Sequence, residues 1–392
     1  MTSIRILGWD HSRCMDPLRE AARVWNEADP HSVVTVSARP LSAFNDQPLE
    51  ELSSICDLMV IDHPHLATAA HAGAIAPLED LVDTTAIDQI RNDALGASWD
   101  CYSLDSHIWA LPADTACQVA ASRPDQFEAL DEQLPRSWGQ VLNLAERRPG
   151  FVALPLYPTD AISSLLSIAA GLGANFSDDG DALTSDANRE AVLVALSMLG
   201  HLTDIVWQGS WDSNPPALLD RMAGGDEIGY IPLTYSYSQY ASPAALNPLQ
   251  FHLPVSPIGS LLGGAGLAVS SQAVAPEAAA NFASWFCSPG VQSAIVGLNG
   301  GQPAMRSAWE DAQCDERVGG MLTATKQAHE AAVVRPHSLW WPGFQEDAGN
   351  LLAFALRAGT SPYVIFDRLE RCHEAHASAE STATKGVHSA RR

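Results

Sequence analysis

The stretch from residue 4 to residue 61 constrains the fold more than any other part of the chain. Its three short apolar runs, "IRILGW" (4–9), "VVTVSA" (33–38) and "CDLMVI" (56–61), are separated by segments of helical character. Between the first two, Leu18, Ala21, Ala22 and Trp25 recur with helical spacing after Asp16-Pro17, an N-cap residue followed by proline at the first helical position. Strand, helix, strand, helix, strand predicts a parallel α/β sheet. Such sheets take ligands in the crevice beyond the carboxyl ends of their strands. Two of the three runs end there on the same pair of residue types: Trp9-Asp10-His11 in "LGWDHSRC" and Asp62-His63-Pro64-His65 in "VIDHPHLA".

A chain of 392 residues is too long for one small core and calls for two or three. Its 46 Asp+Glu against 22 Lys+Arg leave a net charge of −24, with no Lys/Arg-rich run, which argues against nucleic acid and anionic membrane surfaces as partners. No apolar run approaches the roughly 18 residues a membrane-spanning helix needs. The start, "MTSIRILGWDHSR", lacks a signal-peptide pattern, and the seven Cys are scattered with no C-x-x-C pair. Together these predict a reduced, cytoplasmic protein, or a periplasmic or extracellular one if the true start lies upstream.

Further along, "IWALPAD" (108–114) predicts a strand that breaks at Pro112. From about 115 to 260 the chain forms a block of its own, with helices at "SWGQVLNLAERR" and "SDANREAVLVALSMLGHLTD" and strands at "FVALPL" and "EIGYIPL". A glycine cluster leads into another strand at "GGAGLAVS" (263–270), and "APEAAANFASWFCS" predicts a helix with Pro276 in its first turn. The last 17 residues are small and polar, which predicts a disordered tail.

The order of these motifs resembles the extracellular solute-binding proteins of ABC importers, family 1, the carbohydrate-binding cluster, up to about residue 375. The residues that carry the resemblance are "PLREAARVWNEADP" followed by "SVVTVSA", the Asp-led third strand "CDLMVIDHP", and the turn "AHAGAIAPLEDLV". "IWALPADTACQVAASRPDQFEAL" with "PRSWGQVLNLAER" is similar to the stretch where the family crosses into its second lobe, and "GGAGLAVSSQAVAPEAAANFASWFCSPGVQSAIVGLNGGQPAMRSAW" to its return. The resemblance implies a two-lobe, periplasmic-binding-protein-like (type II) α/β fold, each lobe a mixed sheet flanked by helices, joined by hinge strands. Residues 1–112 and 267–315 would form the first lobe, 113–266 and 316–375 the second, and 376–392 the tail. It also implies a ligand held in the cleft between the lobes, no chemistry, no cofactor, and the membrane component of an ABC transporter as partner to a monomer. Exported members carry a signal peptide or lipoprotein Cys, and the paired Asp-His strand ends are not general in the family; both departures point to a subset without signal peptide.

Trp9, Asp10, His11 and Arg13 combine an aromatic face with a carboxylate, which suits a sugar-like ligand, while Arg13 and the histidines could hold a carboxylate or phosphate. The alternative is that Trp9 packs into the core and Asp10 caps a turn. Asp62, His63 and His65 fit polar ligand contact, a structural turn fixed by Pro64, or a metal site completed by Asp10, His11 or His107, although no recognised metal spacing is present. Asp114 follows the crossing strand and would border the cleft; otherwise it caps a helix. Tyr235 and Tyr237 in "YIPLTYSYSQY" would wall the opposite side or pack in the core, and Trp340 in "LWWPGF" would stack on ligand or sit between helices. The cluster around Gly264 leads into a strand and carries no Lys, so it is not a phosphate loop; close backbone approach at hinge or ligand accounts for it. "SDDGDALTSD" (177–186) lacks calcium-loop spacing and reads as a turn before a Ser185-capped helix. The function expected is binding of a small polar ligand, a carbohydrate or hydroxylated acid, without metal. The alternative is a cytoplasmic catabolic enzyme or ligand sensor that uses the Asp-His pairs as acid/base or metal ligands.

Overall fold

A computed structural model describes residues 2–29, 31–178, 180, 182–256 and 258–390, with side chains in that set except at 42, 45, 46 and 379–390. The strands that build its main sheets are β1 (Thr2–Trp9), β2 (Ser32–Arg39), β3 (Leu58–Ile61), β4 (Leu111–Ser122), β5 (Tyr230–Tyr235), β6 (Gln250–His252) and β7 (Leu262–Val269). The helices used below are α1 (Ser12–Ala28), α2 (Leu41–Asp46), α3 (Trp138–Arg147), α4 (Pro158–Gly171), α5 (Arg189–Ile205), α6 (Pro276–Phe286), α7 (Met321–Glu330), α8 (Trp341–Arg357) and α9 (Pro362–Ala390). The chain divides into two compact units, one of Met1–Cys117, Ser236–Ala245 and Leu262–Glu330, the other of Gln118–Tyr235, Leu246–Leu261 and Ala331–Arg392. Against the expected crossings at 112/113, 266/267 and 315/316, the units exchange at 117/118, 261/262 and 330/331, and the short segment Ser236–Ala245 returns to the first unit.

In the first unit the strand order is β2-β1-β3-β7-β4. β1 pairs parallel with β2 and β3, as the alternating strands and helices predict, and β7 then runs antiparallel to both β3 and the first half of β4, making the sheet mixed. The α1 face that carries Leu18, Ala21 and Ala22 is buried. That helix begins at Ser12, five residues before the expected first position, Pro17. His11 takes an extended backbone, φ −156°, and its Nδ1 accepts from the Arg13 N–H at 3.2 Å, so a histidine does the capping. Pro17 then sits inside the helix, where it lacks the N–H that would bond the Arg13 carbonyl and its ring crowds that carbonyl.

Pro112 does not break β4. The strand runs through it, and its register against β7 shifts between Pro112 and Asp114, a bulge at the residue that has no N–H to give. Opposite the bulge, Gly264 has φ +111°, and a Cβ there would lie 2.5 Å from the Asp114 carbonyl oxygen. Only glycine tolerates both the conformation and the approach. Gly264→Ala is expected to cost about 2 kcal/mol or more, measured as a lower urea midpoint; an unchanged midpoint would mean that the two strands can separate there at no cost.

In the second unit β5 and β6 both pair antiparallel with the second half of β4. Its core is helical, drawn from Val141 and Leu144 on α3, Leu165 on α4, Leu196 on α5, Leu352 on α8 and Phe366 on α9. α4 is apolar almost all round and correspondingly buried from Asp160 to Ala170. "FVALPL", expected as a strand, is buried but pairs only through Val152 opposite Tyr230, because Pro155 cannot extend a ladder. Ser185 is not the cap of α5. Asn188 holds that position, and Ser185 Oγ accepts from its N–H at 3.3 Å. Residues 376–390, expected as a disordered tail, continue α9, with 391 and 392 outside the described residues. Among the described residues no helix is long and apolar enough to cross a membrane.

Candidate functional site

The register of β1 and β3 accounts for the repeated Asp-His ends. Ile6 lies level with Leu58 and Leu7 with Met59. Continued at the same step, that register brings Trp9 level with Ile61 and Asp10 level with Asp62. The two acidic residues therefore stand abreast where neighbouring parallel strands end, the edge at which open α/β sheets take ligands.

Their surroundings differ. Asp10 is exposed, with its backbone N–H fixed to the Arg39 carbonyl at 2.7 Å. Asp62 is half-buried and lies 3.3 Å from His63 Nδ1. His63 itself is 0% exposed, turned inward by the short helical turn His63–His65, while His65 stays half-buried. His11 is half-buried against the Tyr237 ring at 4.9 Å, with its Nε2 3.2 Å from the Gln239 amide. Nδ1 accepts from the Arg13 N–H, and Nε2 faces the Gln239 amide nitrogen.

Arg13 and Asp114, each expected to touch ligand, instead hold one another. Arg13 Nε donates to Asp114 at 2.8 Å, Nη2 donates to the other carboxylate oxygen, and Nη1 donates to the Ser236 carbonyl at 2.7 Å. Both side chains are buried, and the guanidinium lies 4.9 Å from the Tyr237 ring centroid. The pair ties the start of α1 to β4 and to the segment that begins at Ser236. It is a brace beneath the Asp10 and His11 loop, with no donor left on the Arg13 faces that meet Asp114 and Ser236.

Gln302 extends this brace and carries no motif that marks it in the sequence. Its amide accepts from Ser238 N at 3.1 Å and donates to Thr115 O at 3.0 Å and Ser236 Oγ at 2.8 Å. His329 on α7 lies 3.4 Å from the same Ser236 hydroxyl and packs against Trp309 with ring centroids 4.3 Å apart. Burial pulls its pKa down to about 4, a bond to Thr325 O opposing and the Arg13 charge adding to the effect. Beside Trp9 a small cavity of about 20 Å³ is lined by Arg13, Val60, Asp114, Leu267 and Phe286, apolar apart from the ion pair. Trp9 packs its ring on Phe44 at 4.8 Å, and Gly264 backs Asp114 through its main chain.

In the second unit, Tyr235 ends β5 half-buried. Trp340 packs on Phe344 at 5.5 Å and His373 at 4.7 Å within the helical core, the inter-helix alternative of the sequence reading. Asp160 was not singled out from the sequence. It lies buried in the first turn of α4, and burial pushes its pKa up to about 8. The signal was present in "LYPTDA", a proline-started helix with an acid in its first turn next to the exposed Tyr157. Among the described residues the three side chains that bring metal-ligating atoms within 4.8 Å of one another are Asp347, Cys372 and His376, on α8 and α9. His376 Nε2 already meets the exposed Asp347 carboxylate at 2.9 Å, an ordinary imidazole–carboxylate pair that needs no ion.

Residues 49–319 match the family model described as bacterial extracellular solute-binding protein. The comparison with curated proteins finds no match. Among solved structures, the chain is similar to the maltose-bound MalE3 of T. maritima, with a TM-score of 0.78 at 15% identity over 96% of this chain and 100% of that one. It is similar to an ABC-transporter solute-binding protein of Agrobacterium radiobacter K84 in complex with ribitol, with 0.78 at 18% identity over 96% and 98%. A third, from Thermotoga lettingae TMO with bound α-D-tagatose, gives 0.80 at 16% identity over 95% and 100%. At these identities the likeness shows the two-lobe periplasmic-binding fold, and the family match covers well over half of the chain. The chain belongs to the bacterial extracellular solute-binding protein family.

Proposed function

We propose that the chain binds a small sugar or polyol, as a monomer serving the membrane component of an ABC importer. The observation that carries this is the pair of strand ends abreast in the first unit. Asp10 and Asp62 offer carboxylate acceptors for hydroxyl hydrogens, with His11 and His65 beside them. Support comes from the structural neighbours, whose ligands are maltose, ribitol, tagatose and, in a protein of Agrobacterium vitis S4, D-mannitol. The enzyme alternative, which would use the Asp-His pairs, is not helped by His63, which is fully buried.

A thermal-shift screen over those four compounds tests the proposal. A ligand at a thousandfold excess over its dissociation constant stabilises by about 4 kcal/mol, a shift no instrument would miss. Asp10→Ala should weaken that ligand by about tenfold to a hundredfold, the worth of roughly one charge-assisted hydrogen bond, while the ligand-free melting temperature stays where it was. A shift identical in the variant would remove Asp10 from the site, and no shift with any sugar or polyol would sink the proposal.

A further inference from the structure

Arg39, the last residue of β2, is a buried cation that forms no ion pair among the described residues. It is 5% exposed, and its Nη2 donates to the Val60 carbonyl at 3.0 Å. Nε and Nη1 have no hydrogen-bond partner among the described residues. Its guanidinium lies 5.5 Å from the Phe44 ring on α2, and the same ring packs on Trp9. Trp9 is 4% exposed, and its indole Nε1 is likewise buried without a partner.

These donors are grouped by the fold. Trp9 and Arg39 are register partners on β1 and β2, and Val60 belongs to β3 on the far side of β1. The Arg39 side chain therefore crosses the ends of three strands at the edge where Asp10 and Asp62 stand. Val60, which holds it, and Trp9 both line a small cavity of about 20 Å³. Other buried arginines show what such a group ordinarily holds: Arg13 grips Asp114, and Arg123 grips Asp125 with both Nε and Nη2. A buried guanidinium without a partner is costly, and burial accordingly pulls the Arg39 pKa down to about 10.

We infer that the missing carboxylate belongs to the ligand. Arg39 and Trp9 bind the carboxylate of a sugar acid, whose hydroxyls are taken by Asp10 and Asp62; this rests on the sugar-or-polyol reading and narrows it. A carboxylate suits the site better than a phosphoryl group. These strand ends supply one unpaired positive charge beside two acidic residues, so a dianion would bring a second charge that nothing there balances.

Titration calorimetry on the full chain compares gluconate with glucitol, and glucuronate with glucose, with glucose 6-phosphate as a further arm. The expected result is that at least one acid binds about tenfold or more tightly than its neutral counterpart, about 1.4 kcal/mol. Arg39→Gln and, separately, Trp9→Phe should each bring that ratio close to one. Trp9→Phe keeps an aromatic ring on Phe44 and removes only the indole donor, so it decides the matter even if Arg39→Gln fails to fold. A ratio near one in the unmodified protein, a ratio that survives Trp9→Phe, or tightest binding by the phosphate overturns the inference. Neutral sugars that bind where the acids do not leave the sugar-or-polyol reading standing and remove only the carboxylate. Failure of every compound, neutral or acidic, removes both.

Discussion

Asp114→Ala is expected to lower the stability of the first unit by about 3–5 kcal/mol, the usual cost of removing one partner from a buried ion pair. The reason is what it leaves behind. Arg13 would keep its charge in a buried position, with the Ser236 carbonyl as its one remaining oxygen partner and the Tyr237 ring above it. Arg13→Ala strands the carboxylate instead and should cost a similar amount. The double replacement Arg13→Met with Asp114→Leu restores apolar packing without an orphaned charge and should recover most of the loss, since buried pairs are often neutral against a well-packed apolar substitute. Urea unfolding of the four proteins compares these costs directly. Single replacements that each cost under about 1 kcal/mol would show that water reaches the pair, as it does for surface salt bridges, and would end its role as a brace. The pair links residues 101 positions apart in the chain, and the loop it braces carries Asp10 and His11.

That separation also explains what could be read from the sequence and what could not. β1, β2 and β3 were legible because buried parallel strands are continuous apolar runs, and "IRILGW" and "LMVI" have no other use. The family was legible from the order of many weak motifs. The start of α1 was not, because Asp16-Pro17 imitates a helix start so well, while the true cap, His11, is a residue type that seldom caps. Pro112 was taken for the end of a strand because nothing local announces that a partner strand accommodates a bulge. Arg13 and Asp114 each read from the sequence as a ligand contact. Only the fold shows that they meet and hold one another. Arg39 is the converse case. In "TVSARP" it looks like an ordinary charged strand end, and its importance comes from burial and from the absence of a carboxylate partner among the described residues, which no spacing encodes.

Stability should peak near pH 6.5, and two buried groups on different units set the two slopes. Asp160 has a folded pKa raised to about 8 by burial, against 3.8 for the unfolded chain. Its contribution is full below pH 3.8 and is lost as pH rises toward 8, at about 1.4 kcal/mol per pH unit. His329 is depressed to about 4 from 6.5, so its contribution is full above 6.5 and is lost as pH falls toward 4, at the same rate. His252 and His373 are also pulled down by burial and act in the same direction as His329, so on the acid side the histidines outweigh Asp160. Above pH 6.5 the histidines are neutral in both states and Asp160 acts alone, which predicts a loss of roughly 2 kcal/mol between pH 6.5 and 8. Asp160→Asn should abolish that alkaline loss and steepen the acid one. His329→Gln should flatten the acid side and leave the alkaline side unchanged. Denaturant midpoints at half-unit intervals resolve the three profiles. Asp160 stands in the first turn of α4, where unpaired N–H groups favour a carboxylate, so its environment sets helix dipole against desolvation. A wild-type profile flat from 6.5 to 8 would mean that the helix end wins and that Asp160 is ionised at neutral pH. A falling profile means that burial wins, and that at neutral pH Asp160 carries a proton it can donate in a hydrogen bond.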